Sequence, residues 1–215
     1  MIKSNLKFKI ETEVGKLSLN ASLEINNEIV CIYGPSGSGK TTILNNIAGI
    51  INPKKGKISI NNNCIFDHQK KINTPIRQRN IGYAFQDERL FSHMNVIKNL
   101  TFKSKDQILL KKIINIFNLE NILYRKIKNL SGGEKKRISL GRSLIGNPSI
   151  LLLDEPLSGV DEERKFIILN FIKNLSLKKS IPILYVTHNM NEAKYLSEKI
   201  FEIKNSILIK RKIID

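Results

Sequence analysis

The pattern of apolar and polar positions predicts two kinds of strand in this chain. Residues 7–12 and 16–25 alternate between apolar and polar side chains, and Gly15 between them is a turn signal. Such alternation is typical of antiparallel strands with one solvated face. Three later runs are continuously apolar, as expected of strands covered on both faces of a parallel sheet. They are residues 28–34, 149–156 and 181–188.

Other segments complete a mixed α/β pattern. We predict further strands at 56–66 and 81–85, and a closing hairpin at 200–212 that turns at Asn205 and Ser206. Helical periodicity is found in four stretches, at residues 41–50, 107–119, 134–146 and 164–175.

The order of these elements predicts a single α/β domain over residues 1–215. Because the β signal fades between about Asp87 and Gly146, we expect an α-helical subdomain there, inserted between strands of the core. The core then consists of residues 1–86 and 147–215, with the antiparallel strands at its N-terminal edge.

Composition narrows the class of protein. The chain has 215 residues, of which 41% are hydrophobic, enough for the core of one domain. No apolar run approaches the roughly 18 to 20 residues of a membrane helix. The N-terminus also lacks the apolar centre of a secretory signal, so we expect a cytoplasmic protein. With only Cys31 and Cys64, the count excludes a disulfide framework or a zinc ribbon.

The charge is strongly positive, with 36 Lys and Arg against 19 Asp and Glu, a net +17. One explanation is a nucleic-acid or anionic-membrane partner. The other is composition bias, since the lysines are spread evenly among abundant Ile and Asn. The sequence leaves both open.

A glycine-rich segment after the first buried strand predicts a phosphate-binding loop. It fits the G-x-x-x-x-G-K-[ST] pattern and leads from a strand into a helix, the context that this pattern requires. Backbone N–H groups would surround the phosphates, Lys40 would neutralise their charge, and the Thr41 hydroxyl would bind Mg²⁺. The candidate residues are Gly34, Pro35, Ser36, Gly37, Ser38, Gly39, Lys40, Thr41 and Thr42.

Two adjacent carboxylates close the apolar strand that begins near residue 150. Burying either one without a cation would be expensive, so we expect a metal there. Asp154 is the candidate Mg²⁺ ligand, and Glu155 is the candidate base that accepts a proton from an attacking water.

Three more features extend this site. Ser131 and Glu134 fit a capping box around Gly132 and Gly133, which gives a second glycine-rich helix N-terminus able to bind an anion. Gln86 follows a strand and could touch the metal or its water. His188 ends another strand and could donate a hydrogen bond to a γ-phosphate. Taken singly, Gln86 and His188 would be ordinary polar residues at strand ends; their value lies in the order of the whole set.

In that order, and with residues 158–161 added, these motifs resemble the ATP-binding subunits of ABC transporters across essentially the full chain. The resemblance implies a P-loop NTPase core and an ATPase that uses ATP and Mg²⁺. It implies two subunits closing head to tail, one chain's phosphate loop facing the other's Ser131, Gly132 and Gly133, with Asp161 at the interface. It also implies a separate transmembrane permease, an indirectly associated solute-binding protein and a location on the cytoplasmic face of the membrane.

The segment from Thr74 to Leu100 is similar to the ATP-binding proteins of molybdate importers, which predicts molybdate or another oxyanion as solute. Those proteins usually continue into an oxyanion-binding domain, whereas this chain ends at Asp215, so we expect an ATPase core without that regulation. We expect Arg89, Phe91 and His93 to lie near the permease. Many family members stack adenine on an aromatic residue before the phosphate loop, for which Phe8 is the nearest candidate.

Alternative functions remain at this stage. A different solute is one. A non-transport ABC ATPase acting on nucleic acid would suit the charge, but such proteins usually carry a long coiled coil or two cassettes, so we expect no nucleic-acid partner. A small-molecule P-loop kinase would need no second phosphate-binding element, which makes it a poor match.

Overall fold

A computed structural model describes residues 4–15, 17–103 and 106–211. These residues form an 11-stranded sheet with the order β6-β5-β4-β1-β2-β11-β10-β3-β9-β8-β7. The strands are β1 Asn5–Val14, β2 Leu17–Asn26, β3 Ile29–Tyr33, β4 Lys55–Ile60, β5 Asn63–Asp67, β6 Ile72–Asn73, β7 Ile81–Ala84, β8 Ile150–Asp154, β9 Ile183–Thr187, β10 Ile200–Lys204 and β11 Ile207–Lys210. The helices are α1 Lys40–Ala48, α2 Val96–Leu100, α3 Gln107–Ile116, α4 Gly132–Ile145, α5 Glu162–Lys179 and α6 Met190–Leu196.

The two predicted kinds of strand occupy different halves of this sheet. β1 pairs with β2 and β4 in antiparallel register, with Phe8 opposite Leu23 and Ile58. β3, β9, β8 and β7 pair in parallel. Every residue of β8 and β9 is buried, whereas β1 alternates buried and exposed positions. The difference follows from the helices, which cover both faces of the parallel strands.

Two apolar cores lie on opposite faces of the parallel strands. α1 packs Ile43, Leu44 and Ile47 against one face, together with the inward side chains of the antiparallel strands. Helices α3 to α6 contribute to the core on the other face. Each fully buried Leu or Ile contributes about 1.5–3 kcal/mol relative to an exposed one, so these cores hold the strand ends in fixed positions.

The predicted fold class is therefore confirmed, and some boundaries are corrected. Residues 56–66 form two strands rather than one, because Asn61 and Asn62 both take positive φ angles, 51° and 63°, and make a hairpin turn. Asn205 and Ser206 make a similar turn, as predicted. The first helix after β7 begins at Val96, and residues 87–95 before it are not helical.

Within the described residues, no helix combines the length and apolarity needed to cross a membrane.

Candidate functional site

The candidate site lies at the carboxyl ends of three neighbouring strands, β3, β9 and β8. Their register places Tyr33 beside Thr187 and Asp154 beside Val186. The residues that follow each strand therefore meet at one edge of the sheet, where ligands of parallel α/β sheets usually bind. The glycine-rich loop, the two carboxylates and His188 come together there from distant parts of the sequence.

The glycine-rich loop turns sharply before α1 begins at Lys40. Gly37 and Gly39 have φ angles of 79° and 101°, which favour glycine because other residues are strained there. A Cβ on Gly39 would lie 3.1 Å from the Leu17 side chain, so β2 packs closely against the loop. Glycines here allow the close backbone turn that a phosphate cradle requires.

The Lys40 ammonium is enclosed by this loop. Its Nζ donates to the carbonyl oxygens of Gly34 at 2.8 Å and Pro35 at 2.6 Å, and the residue is only 4% exposed. Burial lowers the pKa of Lys40, and the nearby carboxylates of Glu155 and Asp154 oppose that shift. The positive charge is thus held inside the site by backbone dipoles and by two acidic neighbours.

Asp154 is the most deeply buried acid of the site, at 1% exposed. Its Oδ2 accepts a hydrogen bond from the Thr41 hydroxyl at 2.8 Å. Its Oδ1 is buried and has no hydrogen-bond partner among the described residues. Burial raises the pKa of Asp154, while the Thr41 hydrogen bond opposes that shift. A free, buried carboxylate oxygen beside a hydroxyl is a suitable donor set for Mg²⁺, which takes few protein ligands and prefers oxygen.

Glu155 and His188 form a pair. Glu155 Oε2 lies 3.0 Å from His188 Nδ1, and the Glu155 side chain is far less exposed than the imidazole. Glu155 has a positive φ of 46°, a conformation that costs of order 1 kcal/mol or more and is held here by the hydrogen bond from its N–H to the Val186 carbonyl. A carboxylate fixed beside an imidazole can accept and pass on a proton.

Gln86 does not join this cluster by any side-chain hydrogen bond in the described part of the chain. The residue is exposed beyond the end of β7, and its backbone carbonyl accepts a hydrogen bond from Lys136 Nζ. The contact of Gln86 with a metal or its water stays a prediction.

The second glycine-rich element forms the predicted capping box. The Ser131 N–H donates to Glu134 Oε2 at 2.7 Å, and the Glu134 N–H donates to Ser131 Oγ at 3.2 Å. The backbone hydrogen bond from Ser131 is the largest cause of the lowered pKa of Glu134. Ser131 and Gly132 are exposed, and a Cβ on Gly133 would lie 3.0 Å from the Gly159 carbonyl oxygen.

Asp161 has a structural role within its own chain. It caps α5, its Oδ1 accepting from the Arg164 N–H at 2.9 Å, and the residue is exposed. The expectation that Phe8 stacks on adenine is wrong. Phe8 is a residue of β1 whose side chain is buried in the apolar core, with only 1% of the residue exposed.

Sequence reasoning missed a buried arginine, Arg79, whose side chain donates to carbonyl groups in the last turn of α1. Arg79 Nη1 donates to the Ile47 carbonyl at 2.8 Å and Nε donates to the Thr74 carbonyl at 2.9 Å, with the residue 3% exposed. A Cβ on Gly49 would come within 2.5 Å of the guanidinium, so Gly49 makes room for it. In the sequence, Arg79 is one basic residue in a basic segment, and no local signal distinguishes it.

The segment after Gln86 is held by two other residues that the sequence did not single out. The Asn99 side chain makes hydrogen bonds to both the N–H and the carbonyl of Phe91, at 2.9 and 3.1 Å. Arg142 donates to the Arg89 carbonyl at 2.8 Å and lies over the Phe91 ring. Beside this segment is an apolar groove of about 240 Å³. Its lining includes Ala48, Ile50, Ile76, Tyr83, Phe91 and Phe102.

Comparisons with known proteins agree with this geometry. Residues 19–158 match the family model described as ABC transporter. The molybdenum import ATP-binding protein ModC of Pasteurella multocida is 42% identical over 196 residues, covering 90% of this chain and 56% of that protein. The protein of the same name from Vibrio parahaemolyticus is 39% identical, covering 90% of this chain and 53% of its own length. The chain thus spans about half the length of these relatives.

Solved structures of ATP-binding cassettes are also similar to this chain. The chain is similar to the ATP-binding cassette MJ0796, solved as a dimer in a post-hydrolysis state bound to ADP and Pi, with a TM-score of 0.81, 27% identity and coverage of 98% of this chain and 99% of that one. A bacterial Atm1-family ABC exporter with ATP bound has the same fold, with a TM-score of 0.83 at 21% identity over 96% of this chain and 38% of that one.

Proposed function

The chain belongs to the ABC transporter family, and from this premise we propose that it is an ATP-binding and ATP-hydrolysing subunit that drives import through a separate permease. The observation that carries the proposal is the Asp154 carboxylate, which is buried, bonded to Thr41 through one oxygen and left with a free second oxygen. Such an arrangement costs stability unless a cation completes it, and a nucleotide–Mg²⁺ complex supplies one.

In the proposed mechanism each residue of the site has one task. Lys40 exchanges the carbonyls of Gly34 and Pro35 for phosphate oxygens and neutralises their charge. Asp154 and Thr41 hold Mg²⁺, which when bound neutralises charge on the phosphates. Glu155 accepts the proton of the attacking water, and His188 holds the Glu155 carboxylate in place. Gln86 would have to move from its exposed position to contribute.

We propose that two copies of the chain close head to tail around two ATP molecules. Ser131 and Gly132 are exposed, and the hydrogen bonds of Ser131 are made with Glu134 rather than with its own chain's phosphate loop. An exposed helix N-terminus is suited to an anion brought by another subunit. ATP between the two surfaces would then bind both chains.

The division into a core and an inserted helical subdomain gives this closure a structural route. The subdomain, about residues 87–146, carries Ser131, whereas Lys40 and Asp154 belong to the core formed by 1–86 and 147–215. Movement of the subdomain relative to the core would bring Ser131 toward or away from a partner's nucleotide.

The apolar groove beside Phe91 is our proposed permease contact. It lies between core residues such as Ile76 and helical-subdomain residues such as Phe102, and both of these side chains are more than half exposed. A helix of the permease's cytoplasmic face would bury them. With this contact the subunit would lie on the cytoplasmic side of the membrane, and a solute-binding protein on the other side would act on it only through the permease.

Molybdate, or another oxyanion, is the proposed solute. The support is the similarity to molybdenum import ATP-binding proteins along 90% of this chain. The permease would carry the solute, so the residues described above have no assigned role in recognising it.

The test of the proposed activity is Glu155→Gln. Removing the proposed base should leave ATP affinity within about twofold of the unmodified chain and reduce turnover by at least about 1000-fold. Glu163→Gln, an exposed acid in the first turn of α5, is the matched control and should hydrolyse ATP normally. Phosphate release and fluorescent-nucleotide titration measure the two quantities. Undiminished turnover in Glu155→Gln would contradict the assigned base.

A further inference from the structure

The two residues that flank His188 both bond to Glu192, Thr187 to its buried carboxylate and Asn189 to its backbone N–H. The Thr187 hydroxyl donates to Glu192 Oε2 at 2.9 Å and accepts from the Asn189 N–H at 3.0 Å. The Asn189 side chain accepts from the Glu192 N–H at 3.3 Å. Glu192 on α6 therefore holds both ends of the turn that presents the exposed His188 side chain to Glu155.

The Glu192 carboxylate also accepts a hydrogen bond from a buried residue of β9. Glu192 is 8% exposed, and its Oε2 also accepts from the Tyr185 hydroxyl at 2.8 Å. Tyr185 is completely buried in β9, and burial raises the pKa of its hydroxyl well above the usual value. Thr187 and Tyr185 are two residues apart in β9, so their hydroxyls reach the same side of the strand. Among the described residues, no Lys, Arg or His forms an ion pair with Glu192.

We propose that the Glu192 carboxylate is a positioning group for His188, acting through the Thr187 hydroxyl, which in turn accepts from the Asn189 N–H. Its two hydroxyl partners and its place on α6 fix the turn, so that His188 Nδ1 stays 3.0 Å from Glu155 Oε2. Burying a carboxylate whose partners are neutral hydroxyls costs free energy, because the charge is desolvated. An apolar side chain at this position would pack α6 against β9 without that cost. This inference rests on the proposed ATPase activity, because it assigns Glu192 a part in the same site.

A double-mutant cycle between Glu192 and His188 tests this positioning role. Glu192→Gln keeps the size of the side chain but weakens its acceptance of two hydroxyl hydrogen bonds. We expect kcat to fall about tenfold while ATP affinity changes by less than about twofold. In a His188→Ala background, the same substitution should change kcat by less than about twofold, because no imidazole remains to be positioned.

Thr187→Val provides a second route to the same measurement if Glu192→Gln folds poorly. Its matched control is Ser176→Ala, which removes another buried hydroxyl, 3% exposed, that donates to the Ile181 carbonyl at 3.2 Å. Both variants should lower the melting temperature, but only Thr187→Val should lower kcat.

The outcomes separate this inference from the function on which it rests. Equal loss of kcat in both His188 backgrounds, or unchanged kcat in Glu192→Gln or Thr187→Val, would overturn the role of Glu192 while leaving the ATPase assignment intact. An unmodified chain without ATPase activity would instead contradict the proposed function.

Discussion

The two glycine-rich elements of this chain differ in how much of their surroundings the chain itself supplies. Around the phosphate loop, Lys40 and Asp154 are almost completely buried; Lys40 donates to carbonyls of the loop, and Asp154 accepts from Thr41 of α1. At the start of α4, Ser131 and Gly132 are exposed, and the side-chain hydrogen bonds found there in the described part of the chain are those of the capping box with Glu134. One element is assembled within a chain, and the other is displayed on its surface.

This difference has an energetic consequence. The core element accumulates unfavourable terms, namely a buried cation, a free carboxylate oxygen and the left-handed Glu155, which ligand binding can relieve. The α4 element is locally satisfied and costs nothing to keep exposed. Substitutions in the core element should therefore change stability and nucleotide binding, whereas substitutions at Ser131 should act mainly on association.

The largest contrast is expected from Asp154→Asn. This substitution should reduce ATPase activity by about 100-fold or more, because the proposed Mg²⁺ ligand is lost, while it raises the melting temperature of the metal-free protein. Each kcal/mol gained corresponds to roughly 2–4 °C for a chain of this size. Thermal denaturation with and without Mg²⁺ and a nucleotide measures both effects. A lower melting temperature in the variant would contradict the destabilising role of the buried carboxylate.

The pH dependence of stability, compared between Asp154→Asn and the unmodified chain, sharpens this test. Because the folded-state pKa of Asp154 is raised above the ordinary value of 3.8, its contribution to stability is fully present below that value and is lost as the pH rises through the raised pKa. The difference in unfolding free energy between Asp154→Asn and the unmodified chain should accordingly grow from acid to neutral pH.

A smaller effect is expected at the exposed element. Ser131→Ala should cost about 1 kcal/mol of stability through the lost cap. It should leave nucleotide affinity of the single chain unchanged and lower turnover.

Lys40→Ala should instead weaken the nucleotide affinity of the single chain by about 10- to 100-fold, because it removes a charge-assisted contact. Nucleotide titrations at protein concentrations too low for two chains to associate measure both affinities. An equal loss of affinity in Ser131→Ala and Lys40→Ala would contradict the proposed difference between the two glycine-rich elements.

The smallest effect is expected from Glu134→Gln. An amide can keep the capping box, so the substitution should cost only about 0.3–1 kcal/mol at neutral pH, from the lost charge at the helix N-terminus. Because the pKa of Glu134 is lowered from 4.5, the carboxylate's advantage exists above that value and disappears as the pH falls through its folded-state pKa. Melting temperatures of the two proteins should converge in acid, and a constant difference would contradict the carboxylate's role.

The sequence predicted the parts of this molecule that depend on local pattern. Continuous apolar runs identified the buried strands, and the spacing around Lys40 identified the phosphate loop with its helix. The capping box at Ser131 was also predictable, since its partners are only three residues apart. Thr41 and Asp154 were each predicted to bind Mg²⁺, and the structure joins them by a hydrogen bond.

Contacts between distant segments could not be predicted in this way. Arg79 reaches carbonyls more than 30 positions away, and Glu192 meets hydroxyls that face it only once β9 and α6 are packed. The conformation of Gln86 depends on Lys136, fifty positions later. Single-residue arguments assign such groups to ordinary strand ends or helix faces, because their partners are chosen by tertiary packing.

The central claim is that Ser131 acts on nucleotide held by another copy of the chain, and molar mass measures this directly. With Mg²⁺ and ATP, light scattering on the Glu155→Gln variant should show a mass twice that of one chain. Adding Ser131→Arg should return the mass to one chain while single-chain ATP affinity stays unchanged. Doubling that persists with Ser131→Arg, or that never occurs in Glu155→Gln, would contradict the account.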